Sequence, residues 1–143
     1  MNTLPVSFTR PGADLPTRAH PTDAGLDLYA AETVQIAPRV VTLVPTGIAV
    51  AIPAGHVGLL VARSSLSVKK AMTLANGVGV IDADYRGEIK VPIIPLDGCH
   101  NLIQAGTRIA QLIILPIALP TVEVVTELPD SERGHGGFGS TGA

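Results

Sequence analysis

Short runs of valine, isoleucine and leucine recur along the chain, each closed by glycine, proline, asparagine or aspartate. The runs at 4–8, 40–44, 47–52, 57–62, 87–94, 108–115 and 121–128 all have strand length. Several have a period of two. Large residues alternate with Ala49 and Ala51 between Ile48 and Ile52, Ile89 and Val91 alternate with Glu88 and Lys90, and Val122 and Val124 flank Glu123. That alternation suits a pleated sheet. One stretch departs from it. Residues 64–71 predict a short helix, with Ser64 or Ser65 as cap and with Leu66, Lys69 and Lys70 following. Many short strands separated by turn signals predict an all-β sandwich or barrel of the jelly-roll kind.

Composition narrows the picture. A chain of 143 residues holds one core, and 15 glycines with 12 prolines are too many for a helical bundle. Charged residues are 15% and the net charge is -2, so a polyanionic ligand must be held by a few placed cations rather than by a general field. Aromatics are 3% with no tryptophan, which argues against a stacking platform for nucleic acid. The longest apolar run, 112–120, contains Pro116 and Pro120 and is too short to span a membrane; the N-terminal stretch lacks the continuous apolar core of a secretory signal. The single cysteine, Cys99, forms no internal disulfide, so a cytoplasmic location is expected. A mean hydropathy of +0.40 assigns part of the apolar surface to contacts between subunits. From residue 129 the pattern changes. Residues 129–143 are glycine-rich without strand alternation, and are expected as a mobile arm on a domain spanning 1–128.

Five stretches join a turn to ionisable or hydrogen-bonding side chains. In Asp23-Ala24-Gly25-Leu26-Asp27-Leu28, a turn precedes Asp27, which taken alone reads as a solvated carboxylate at a strand end. Arg63-Ser64-Ser65 stands where a strand meets the helix. Its cation, hydroxyls and backbone donors suit phosphate oxygens, and equally an ordinary serine cap beside a surface arginine. The segment from Asn76 to Gly87 reads as a hairpin in which glycine admits close approach of a planar ligand. Asp82 is expected there partly buried and placed to take a proton from water, or simply making turn bonds with Asp84. Arg108 and Gln111 interrupt an apolar strand and need partners, either a ligand or, for Arg108, a group across a subunit boundary. The fifth stretch runs from Arg133 to Gly142. Ser140 stands where a phosphate-binding G-x-x-x-x-G-K-[ST] loop needs lysine, which leaves a strip of backbone donors with one cation, Arg133, and one ring, Phe138. His20, His56, His100 and His135 have no metal-ligand spacing.

Taken in order, these five stretches resemble the five motifs of the trimeric dUTP pyrophosphatases (dUTPases, deoxyuridine 5'-triphosphate nucleotidohydrolases). The segment from Gly79 to Gly87 is the most specific match and the glycine-rich tail the second; Ser65 stands where many members have glycine. The resemblance implies a distorted jelly-roll of the dUTPase type assembled as a homotrimer with shared active sites. It implies hydrolysis of dUTP to dUMP and diphosphate with Mg²⁺, which limits uracil in DNA and supplies dUMP for dTMP synthesis. By the same analogy Asp82 is the general base, and Asp27 positions the water and the Mg²⁺ shell, mainly through water. Arg63, Ser64, Ser65 and Gln111 hold phosphates, and the backbone from Asn76 through Gly79 to Ile81 reads uracil. Tyr85 lies beneath the deoxyribose, Arg133 clamps the terminal phosphate, and Phe138 stacks on the base. Two other readings are a dCTP deaminase on a related fold, which turnover of dCTP against dUTP would separate, and a non-catalytic jelly-roll binding protein.

Overall fold

The computed structural model describes residues 3–136. The described residues form β1 (Val6–Phe8), β2 (Leu26–Tyr29), β3 (Val34–Ile36), β4 (Thr42–Pro45), β5 (Ile48–Val50), β6 (His56–Ala62), α1 (Ser64–Lys70), β7 (Met72–Leu74), β8 (Val78–Ile81), β9 (Lys90–Pro95), β10 (Asn101–Ile103) and β11 (Arg108–Pro116). The chain is all-β with one short helix. Its ladders are antiparallel and make one four-stranded sheet (β2-β11-β6-β8), one three-stranded sheet (β4-β9-β7) and two pairs (β1-β5 and β10-β3), a distorted jelly-roll.

The core lies between the sheets and is built almost wholly from valine, isoleucine and leucine; of the described residues only Asp27 and Thr46 are both polar and buried. Thr46 is satisfied, since its hydroxyl donates to the Ile89 carbonyl at 2.6 Å. In the four-stranded sheet, Leu26, Leu112, Leu60 and Gly79 stand in one row and Asp27, Gln111, Val61 and Val78 in the next. Successive rows face opposite sides of the sheet, so Leu112 and Leu60 enter the core while Asp27 and Gln111 share the other face. Gly79 ends the first row because a Cβ there would stand 3.1 Å from the Leu60 Cβ.

Strand β11 holds one extra residue against β2: Arg108 faces Tyr29, yet Ala110 already faces Leu28. Residues three apart on a regular strand point to opposite faces. The bulge cancels that, and both Arg108 and Gln111 arrive on the face that carries Asp27.

Three expectations need correction. The N-cap of α1 is Arg63, in extended conformation and without a side-chain cap bond, so Ser64 and Ser65 are already helical; Leu66 is the buried residue that fixes the helix to the core. Asn76 to Gly87 is not a hairpin. Strand β7 pairs with β9 and β8 pairs with β6, so the turn at Asn76 and Gly77 carries the chain from one sheet to another. Residues 121–128 form no strand, and Val122 and Val124 stand 90% and 95% exposed, because one chain offers that alternating segment no partner strand. No helix among the described residues is long and apolar enough to cross a membrane.

Leu112 sits fully buried at the centre of the widest sheet. Leu112→Ala is expected to destabilise the fold by about 3 kcal/mol, seen as a lower denaturation midpoint with an unchanged slope. A loss below about 1 kcal/mol would show that the site relaxes to fill the space.

Candidate functional site

Strand β8 is the outer strand of its sheet, so among the described residues one of its backbone edges has no ladder partner. Beside it opens a cleft of about 270 Å³ lined by Leu60, Asn76, Gly79, Ile81, Asp82, Tyr85, Glu88 and Lys90, among others. The pleat explains the side chains present. Ile81 turns into the core, and the next residue, Asp82, turns out, so its carboxylate is exposed rather than partly buried as its apolar neighbours suggested. The Tyr85 ring folds back over Gly87, where a Cβ would collide with the phenol, and its hydroxyl donates to the Glu88 carbonyl at 2.9 Å. The cleft thus joins an unpaired strand edge, a carboxylate and an aromatic wall.

A second cleft, about 320 Å³, is lined by Arg63, Ser65, Leu66, Lys69, Lys70, Gly106, Thr107 and Arg108. Behind it lies Asp27, 2% exposed. Its Oδ1 pairs with Arg63 Nε at 2.9 Å and accepts from Gln111 Nε2 at 3.1 Å; its Oδ2 pairs with Arg108 Nη1 at 3.3 Å. Arg63 also donates to the Ser65 hydroxyl at 3.3 Å. Gly25 makes room for this arrangement, since a Cβ there would stand 3.1 Å from the Gln111 Cβ. Four cations therefore border the cleft, with one carboxylate holding two of them in fixed places. Arg108 finds a partner within the chain, because the bulge in β11 aims it at Asp27.

The structure accordingly brings Asn76, Gly79, Ile81, Asp82 and Tyr85 together in one place and Arg63, Ser65, Asp27 and Gln111 in another. Ser64 is exposed at the start of α1. Arg133 lies in an exposed turn and lines neither cleft. Phe138 falls outside the described residues. The two groups lie far apart. With Val61 opposite Val78 and Gly58 opposite Ile81, Asp82 beyond β8 and Arg63 beyond β6 sit at opposite ends of one antiparallel pair. About 20 Å of strand rise separates them. The Arg63 guanidinium is also turned away from β8, toward Asp27 on β2.

Sequence reasoning missed Glu88 and Lys90. Alternation with Ile89 and Val91 marked Glu88 and Lys90 as facing away from the core, but gave no sign that they border a cleft. As for a metal, no group of three or more His, Cys, Asp or Glu side chains lies within ligating reach among the described residues. Asp27 gives both oxygens to nitrogen donors and is closed to solvent, so it does not fit direct ligation of a cation.

The Asp27 cluster makes a prediction. Arg108→Met leaves the buried carboxylate with Arg63 and is expected to cost less than about 1 kcal/mol. Adding Arg63→Met leaves it unpaired, so a double-mutant cycle on stability should show coupling of about 1–2 kcal/mol. Additivity within about 0.5 kcal/mol would refute the shared-anchor geometry.

Known proteins resemble this chain in sequence and in fold. The dUTPase family model matches residues 12–142. A deoxyuridine 5'-triphosphate nucleotidohydrolase of Corynebacterium jeikeium is 53% identical over 132 residues, covering 90% of this chain and 85% of that protein. A mutant dUTPase of Staphylococcus bacteriophage 80alpha, solved with dUpNHpp, superposes with a TM-score of 0.91 at 36% identity, covering 100% of both chains. A mutant dUTPase from phage phi11 of S. aureus, whose structure concerns a structural Mg(II) ion, superposes with a TM-score of 0.81 at 34% identity over 88% of this chain and 98% of that one. With fold and matched length in accord, the chain belongs to the dUTPase family, a family of enzymes.

Proposed function

We propose that the protein hydrolyses dUTP to dUMP and diphosphate in the cytoplasm, limiting uracil incorporation into DNA and supplying dUMP for dTMP synthesis. The observation that carries this reading is the cleft at β8, where a free strand edge, Asp82 and Tyr85 meet. The open edge from Asn76 through Gly79 to Ile81 offers amide and carbonyl groups to uracil as a partner base would. Tyr85 forms the floor under the deoxyribose and leaves no room for a 2'-hydroxyl. Asp82 orients a water and takes its proton as the water oxygen bonds to the α-phosphorus. The bond from that phosphorus to the bridging oxygen breaks, and diphosphate leaves.

The leaving group gathers negative charge, which Arg63, Ser64, Ser65 and Gln111 receive, with Arg133 on the terminal phosphate and Phe138 stacked on the base. Mg²⁺, brought by the triphosphate itself, would neutralise part of the same charge. Asp27 acts here by holding Arg63 and Arg108 in place. The role in the metal shell implied by the family resemblance would require those contacts to open. In this reading the cleft at β8 and the cationic cleft meet on one nucleotide only when different chains supply them. The roughly 20 Å between Asp82 and Arg63 supports a homotrimer with shared sites. So do the exposed Val78 and Val80 on β8 and the unpaired apolar alternation of 121–128.

The test is diphosphate release from dUTP, dCTP, dTTP and UTP with and without Mg²⁺, where only dUTP should turn over efficiently. Asp82→Asn is expected to lower kcat by about three orders of magnitude while dUTP binding changes less than about threefold. Arg63→Ala should also be nearly inactive. Co-assembled one to one, the two inactive chains should regain about a quarter of wild-type activity, since that share of sites draws an intact Asp82 and an intact Arg63 from different chains. Wild-type-like turnover by Asp82→Asn, or no recovery on mixing, would overturn the assignment.

A further inference from the structure

Glu88 borders the cleft at β8, yet its carboxylate points away from it into an ion-pair network of its own. Arg10, just after β1, meets it fork to fork: Nε stands 3.0 Å from Glu88 Oε1 and Nη2 donates to Oε2 at 3.1 Å. The Gly47 amide, in the turn between β4 and β5, donates to the same Oε1 at 2.9 Å. The remaining Arg10 nitrogen, Nη1, donates to Glu32 Oε2 at 2.9 Å. The Glu88 side chain is only 13% exposed, so this pair is largely withdrawn from water and its geometry is held firmly. Gly47 has φ +70°, and a Cβ there would come 2.5 Å from the Ala13 Cβ and 2.9 Å from the Arg10 Cγ, so the turn packs closely against Ala13 and the arginine stem.

The main chain of the same glutamate carries the consequence. The Glu88 carbonyl accepts the Tyr85 hydroxyl, and Gly87 between them leaves space for the ring to lie back. A carbonyl on a mobile loop would let the ring swing. Here residue 88 is tied to Arg10 beyond β1 and to Gly47 in the turn between β4 and β5.

We propose that Arg10, acting through its bidentate pair with Glu88, is a positioning residue that sets the Tyr85 ring and thereby the discrimination between deoxyribose and ribose. This rests on the reading of Tyr85 as the floor under the sugar. Arg10 touches no substrate; loosening it releases the Tyr85 acceptor, and a ring free to tilt admits the extra hydroxyl.

The experiment has two arms. Tyr29 and Tyr85 are the only tyrosines and there is no tryptophan, so in a Tyr29→Phe background the fluorescence anisotropy decay reports on Tyr85 alone. In that background Arg10→Met and Glu88→Gln are expected to add a fast rotational component absent from the parent, whereas Glu32→Gln, at the exposed rim, is not. In the kinetic arm, wild type should favour dUTP strongly over UTP in kcat/KM. Arg10→Met and Glu88→Gln should narrow that preference by about tenfold, with the dUTP change falling mainly on KM. Arg10→Lys, which keeps the charge without the fork, should fall between. A wild type that does not prefer dUTP would remove the reading of Tyr85, and the inference with it. A wild type that does prefer it, with folded variants whose preference stays within about twofold, would overturn the inference and leave that reading standing. If Arg10→Met does not fold, Glu88→Gln and Arg10→Lys decide by the same criteria.

Discussion

A carboxylate withdrawn from water has to be neutralised, and Asp27 imposes that demand on a large part of this molecule. An unpaired charge at its depth would cost several kcal/mol. Its partners come from the residue that opens α1 and from two positions of β11 brought to one face by a bulge. The strand order of the four-stranded sheet, the extra residue in β11 and the exit from β6 are therefore coupled through one side chain. The two guanidinium groups would repel each other without it, so Asp27 both anchors them and allows them to stand together beside an open cleft.

The second constraint is the direction of the strands. In an antiparallel pair, whatever follows one strand lies at the far end from whatever follows its neighbour. Asp82 follows β8 and Arg63 follows β6, which fixes their separation regardless of side-chain rotamers. A free strand edge is ordinarily a liability, because it invites pairing with other chains. On β8 that edge is short, carries Gly79, and borders a concave wall, features that suit a planar ligand better than another strand.

Much of this was legible in the sequence. The apolar runs that became β6, β9 and β11 are long enough to announce themselves, and the helix was bounded to within a residue. Strands β3, β7 and β10 escaped notice because three residues of mixed polarity carry no measurable period; their existence is decided by the strands beside them. Asp27 looked like a solvated residue because its partner Arg108 lies 81 positions away and reaches it only through a bulge that no local pattern marks. Residues 121–128 show the converse. Their alternation is as regular as that of a true strand, but pairing is a property of the surroundings, and a single chain provides none. Asn76, Gly79, Ile81, Asp82 and Tyr85 were marked by order and resemblance, whereas Arg10 sits in an N-terminal segment with no motif, and only the fold brings it to Glu88.

The two ion-pair clusters are mirror images in charge. Around Asp27 one acid stands between two bases; around Arg10 one base stands between two acids, Glu32 and Glu88. The first leaves a positive excess, reinforced by Lys69 and Lys70, at the cleft suited to phosphates. The second leaves a negative excess behind Tyr85, while Lys90 borders the cleft beside it. A chain of net charge -2 would repel a free triphosphate if its charges were spread evenly. In the proposed reading this sorting orients a nucleotide, with the phosphates drawn toward the cationic cleft of one chain and the uncharged base left to the free edge of β8 of another. The same salt bridges that hold the strands in place thus also give the site its polarity.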